Sequence, residues 1–124
     1  MGARFSLVRE PARIAAHGGK LIEEVVGRVC TGSEDVSVAH MVAPPGWDEP
    51  PQTPEFSETT VMMRGRMRAE LGPAGSAETI EVGAGETLRV EAGVRVRYAN
   101  PFAEEAEYYA VCVPAFSLDK AHRE

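Results

Sequence analysis

The 124-residue chain is short of cysteine, of aromatic side chains and of positive charge, and each shortage narrows what it can be. Cys30 and Cys112 are too few for a disulfide framework and show no C-x-x-C spacing, so both read as free thiols in a reducing cytoplasm. Thirteen Lys and Arg stand against nineteen Asp and Glu, a formal charge of −6. A nucleic-acid partner needs a concentrated positive surface to neutralise phosphates, so this balance argues against one. No apolar run approaches the roughly 18 residues that span a bilayer. Met1 to Glu10 is too polar for a secretory signal. A cytoplasmic protein with no membrane partner is expected. Gly2 and Ser6 fit the myristoylation pattern M-G-x-x-x-[ST], but no polybasic patch supports it and the match reads as chance.

What is present is ordinary for a globular protein: 44% hydrophobic and 26% charged residues, on a chain long enough for one core. One domain over residues 1–124 is expected. Short runs alternating apolar and polar residues dominate after residue 19. They cover Lys20 to Thr31, Val36 to Ala43, Glu58 to Arg64, Arg66 to Leu71, Thr79 to Val82, Thr87 to Val90, Val94 to Tyr98 and Glu107 to Val113. Turn residues separate them: Gly72-Pro73-Ala74-Gly75-Ser76, Gly83-Ala84-Gly85 and Asn100-Pro101. Five prolines between Pro44 and Pro54 exclude an interior helix or central strand there, so that stretch reads as an ordered surface loop pinned by Trp47. Before residue 20, Phe5, Leu7 and Val8 suggest a short strand, and Glu10 to His17 a helical turn closed by Gly18-Gly19. The tail from Ser117 reads as a turn of helix or coil. Even strand spacing points to a sandwich or closed barrel.

Two segments sharpen this. Glu58 to Gly65 has the form E-(x)6-G, with Pro44-Pro45-Gly46 upstream, and Gly85 to Asn100 repeats glycines at Gly85 and Gly93 before a final Asn100. In this order, one hairpin apart, they resemble the two motifs of the cupin superfamily, of the small single-domain (RmlC-like) kind. The resemblance covers about residues 36–114 and leaves 1–35 as an N-terminal strand arm. It implies an all-β double-stranded β-helix, the jelly-roll barrel. The positions of the motif histidines hold Gln52 and Pro54, or Pro51 and Thr53, and then Val96. Of the family's four usual metal ligands, Glu58 alone is kept, so the usual site is not carried over intact.

Several chemistries remain open at this point. Strand parity puts Val96 with Tyr98 on one face, and Glu58 with Thr60 and Met62 on another. With His40 and Gln52, the pair Glu58 and Tyr98 would form a mixed oxygen and nitrogen set for a divalent metal, similar in logic to ectoine synthase. Without metal, Glu58 could be a general base and Tyr98 its partner acid, with Arg64, Arg95 or Arg97 at the mouth attracting an anionic substrate. Gln52, His40, Thr60, Met62, Arg64 and Val96 are then the expected ligand contacts. Glu55 and Glu58, three apart on a strand, face opposite ways and are no carboxylate pair. Cys112 reads as inert packing. The expectation is a small organic molecule in the barrel, handled by isomerase, lyase or cyclase chemistry. The alternatives are a non-catalytic ligand binder and a structural cupin with a filled barrel. A homodimer is expected, because the strand at Lys20 to Thr31 offers an open edge.

Overall fold

Alternation with period two, broken by glycine turns, yields strands throughout. The computed structural model describes residues 4–124, so Gly2 of the myristoylation pattern lies outside them. One antiparallel sheet runs in the order β1 (Ala12–Arg13), β2 (Leu21–Val26), β3 (Ser37–Ala43), β9 (Ala106–Val113), β4 (Ser57–Arg64), β7 (Thr87–Val90). The other runs β6 (Glu78–Gly83), β5 (Arg66–Leu71), β8 (Val96–Ala99). A 3-10 turn at His17–Gly19 and a four-residue helix, α1 (Leu118–Ala121), complete the described elements. No helix among the described residues is long and apolar enough to cross a membrane.

The core lies between the sheets. Met62, Met67, Val82, Val90, Val96 and Tyr108 are its bulk, and alanines at 43, 69, 106 and 110 keep the inner faces close. On β3 the small residues Ser37, Ala39 and Ala43 point inward, while Val38, His40 and Val42 take the outer face. The Pro44–Pro54 loop lies along the free edge of β8, as its prolines allow. Gln52 and Val96 exchange two backbone hydrogen bonds of 2.9 and 2.8 Å, and Asn100 N donates to Trp47 O at 2.7 Å. Trp47 is buried beneath the loop and its Nε1 donates to the His17 carbonyl at 2.7 Å.

Three N-terminal readings change. Phe5 and Leu7 form no strand and are exposed. The expected helical turn near the N-terminus is present but lies later, at His17–Gly19, while Ala12–Arg13 pairs with Glu24 and Glu23 of β2 and Ile14 N donates to Ile22 O at 3.0 Å. A neighbouring strand with unpaired backbone groups outweighed the local helical signal. The same pairing covers part of the β2 edge that the sequence left open. The pairing of β2 with β3 carries a register shift between Glu24 and Val26.

Candidate functional site

A cavity of about 50 Å³ lies inside the barrel. That is room for a few water molecules. Four side chains singled out from sequence line it: Glu58 and Thr60 from β4, Tyr98 from β8 and Gln52 from the proline-rich loop. Glu58 stands inward because register places it beside Cys112 of β9 and Val90 of β7, both inward-facing. Its Oε1 is buried with no hydrogen-bond partner, and so is the Tyr98 hydroxyl. The two face each other closely enough for the Tyr98 hydroxyl to lower the Glu58 pKa and for Glu58 to raise that of Tyr98, although the geometry falls short of a formed hydrogen bond.

The remaining expected residues are not brought to the cavity. Met62 and Val96 are packed in the core instead of lining the space. Arg64 is exposed near the outer face, with Nε 3.3 Å from a Glu107 carboxylate oxygen. His40 also lies outside the barrel. Its Nδ1 is 3.1 Å from Glu23 and its Nε2 2.7 Å from Glu107. It therefore cannot join Glu58, Gln52 and Tyr98 in one ligand set.

Sequence reasoning missed three groups that do reach the cavity. Lys20 enters at the foot of β2, its Nζ 4.2 Å from the Trp47 ring centroid and 5.1 Å from that of Tyr108. Glu49 descends from the proline-rich loop, buried at 8% exposure. Arg123 returns from the tail, donating through Nε to Gln52 Oε1 at 3.1 Å and lying 3.6 Å from Glu49 Oε2. Lys20 stands after Gly18-Gly19 at the start of a strand, where a polar residue is ordinary. Arg123 carried no signal either.

Burial sets the electrostatics. It raises the Glu58 pKa, and the Glu49 charge raises it further, while Lys20 works the other way. Burial likewise raises Glu49, opposed by Lys20 and Arg123. Tyr98 is pushed well above its ordinary range by burial first and the Glu58 charge second. Glu24, a further carboxylate on the lining, is already held by the Val29 and Cys30 amides, each donating to Oε1 at 2.9 Å. A carboxyl group raised in this way can hold a proton where an ordinary one would not.

No family model matches the chain. Solved oxalate decarboxylases share its architecture. The Bacillus subtilis enzyme superposes with a TM-score of 0.80 at 19% identity, over 98% of this chain and 33% of its own. The Lactobacillus farciminis enzyme, in a formate complex, gives 0.77 at 19% identity, over 98% and 37%. This chain has the cupin fold. The resemblance read from the glycines and Asn100 is thereby borne out for the fold, and identities this low speak to nothing finer.

A curated relative, the endoribonuclease YbeY of Myxococcus xanthus (strain DK1622), is 40% identical over 117 residues. The match takes in 94% of the cupin chain but 38% of the relative, so the chain spans well under half of that protein. This finding overturns two expectations. Nucleic acid is no longer excluded as a partner, and the reading as a small-molecule isomerase, lyase, cyclase, ligand binder or merely structural cupin is set aside. The error lay in treating net charge as decisive: −6 is a total over the 124 residues and does not say how the charges are distributed over the surface.

The fold's solved relatives include one studied for its Mn(II) centres, superposing at a TM-score of 0.78 and 19% identity over 98% of this chain and 33% of its own. The donor set here does not fit such an ion. Among the described residues no group of three or more His, Cys, Asp or Glu could hold a metal. The cavity instead sets an ammonium and a guanidinium near its carboxylates.

Proposed function

We propose that this cupin serves RNA cleavage as an accessory unit, working beside a nuclease centre instead of cutting RNA within its own barrel. The observation that carries this is the 40% identity across almost the whole chain to 38% of an endoribonuclease. Most of that relative lies outside the match, which leaves ample chain to carry the cutting centre. The cavity supports the same division of labour. About 50 Å³ accommodates a few waters and is far too small for a nucleotide.

The test uses labelled single-stranded RNA and three proteins: this chain, the Myxococcus xanthus endoribonuclease, and that enzyme with the matched segment deleted. The expected outcome is no cutting by this chain alone, with deletion altering the enzyme's kcat/KM or its choice of cleavage site. Cutting by this chain alone, abolished in Glu58→Gln, would instead place the nuclease centre in the barrel. Unchanged cleavage after deletion would remove the accessory role.

A further inference from the structure

We propose that Lys20 is the resident cation of the barrel, balancing Glu49 and Glu58 across the cavity and occupying the electrostatic place of a divalent metal. The proposal is independent of the RNA reading.

Three observations carry it. The first is position. The Lys20 stem enters beneath the loop, and its ammonium is set against the faces of Trp47 and Tyr108 at 4.2 and 5.1 Å. Aromatic faces attract a cation, more strongly when water is scarce. The second is charge. Three carboxylates line the space; the Val29 and Cys30 amides hold Glu24, and Lys20 and Arg123 are the two cations that face the other two, Glu49 and Glu58. Arg123 is committed to Glu49 and Gln52. Lys20 has no carboxylate oxygen within 4 Å among the described residues, so it acts on both acids through the cavity. A divalent ion entering beside these two cations would be repelled by both in a poorly screened space. The third is the unfinished polar surface. Glu58 Oε1 and Tyr98 Oη are buried without partners. A carboxylate in that state survives only with a nearby opposite charge, and Lys20 lines the same cavity.

The opposing effects on titration agree with this picture. Burial lowers the Lys20 pKa, and Glu49 followed by Glu58 raises it again. Lys20 in turn is the leading influence holding Glu58 and Glu49 down against their burial. The ammonium and the carboxylates thus each oppose the burial that drives the other toward its neutral form.

The experiment is a double-mutant cycle on the full chain, read by urea unfolding at neutral pH. Lys20→Met keeps the stem and removes the charge. It is expected to raise the unfolding equilibrium constant by about a hundredfold or more, as breaking a buried charge set does. Glu58→Gln introduced into Lys20→Met is expected to recover most of that loss, because it removes the acid left without its counter-charge. Should Lys20→Met fail to fold, the double variant decides: its folding supports the proposal and its failure overturns it. Effects that simply add, with no recovery, also overturn it. A parallel titration of the wild-type chain with Mn(II) is expected to show no uptake at micromolar metal. Stoichiometric uptake with Lys20 intact would overturn the metal-replacing role.

Discussion

His40 Nε2 and Glu107 Oε2 lie 2.7 Å apart on the outer face of the larger sheet, and Glu23 closes on the other ring nitrogen at 3.1 Å. The pair is one diagonal step across β3 and β9, since the register sets His40 against Tyr109 and Val42 against Glu107.

This arrangement predicts a stability window. The bond to Glu107, ahead of all other influences, raises the His40 pKa above its ordinary 6.5. That contribution is complete below 6.5 and lost as pH rises through the folded value. The same bond lowers Glu107 below its ordinary 4.5, so its contribution is complete above 4.5 and lost as pH falls through the folded value. The two overlap between about 4.5 and 6.5. The urea midpoint of the wild type should peak there relative to His40→Gln, and the two profiles should converge at alkaline pH. A constant offset at every pH would show that the pair is not what His40 contributes.

Asn100 should be among the least replaceable side chains. It is fully buried, its Nδ2 donates to Ala43 O at 3.0 Å and to Glu104 O at 2.8 Å, and its Oδ1 accepts from Phe102 N at 3.1 Å. Asn100→Ala strands those backbone groups and should cost about 2–4 kcal/mol in urea unfolding.

Gly65 joins β4 to β5 at φ +75, and a Cβ there would collide with the Glu105 carbonyl oxygen. The backbone obstacle cannot rotate away as a side chain would. Gly65→Ala should lose at least about 2 kcal/mol, from left-handed strain with the collision added. Equal unfolding midpoints for variant and wild type would contradict this.

The thiols should separate by reactivity. Burial raises the Cys112 pKa, and its side chain is 4% exposed on β9, whereas Cys30 is partly exposed. A thiol reagent should modify one equivalent in the native protein and two in denaturant.

Trp47 is the one tryptophan of the chain, buried at 4% exposure with its Nε1 bonded to His17 O. Its native emission should be blue-shifted from the unfolded value. Trp47→Phe leaves the His17 carbonyl without that donor and should cost about 1–3 kcal/mol by thermal unfolding monitored by circular dichroism.

Much of the barrel was legible because backbone needs leave marks in sequence. Gly65, Gly85 and Gly93 sit at positive φ, and the Asn100 side chain ties four backbone groups, so the motif spacing followed turn geometry. The bounds of β5 and β7 followed directly from alternation and flanking glycine. Parity also placed Glu58, Thr60 and Tyr98 on cavity-facing positions. What parity could not tell was which face of β3 is inner. Val38 and Val42 are β-branched and apolar, yet they face outward, and the inner face takes Ser37, Ala39, Met41 and Ala43, where β9 brings Tyr108 into the same space. His40 went outward with the valines. Lys20 looked like an ordinary polar residue at a strand's start, and its burial depends on Trp47, 27 positions away in the sequence. Arg123 reaches the cavity through a bridge to Gln52, a contact with no local signature.

Ala39 and Ala110, paired in register on β3 and β9, both border the internal space. That void therefore owes its size to missing methyl groups and not to any gap between strands. Interior volume in this barrel is consequently a quantity that substitution can tune. Ala110→Val would occupy part of about 50 Å³ with the sheets held where they are, and a bulkier replacement would exceed it and force them apart.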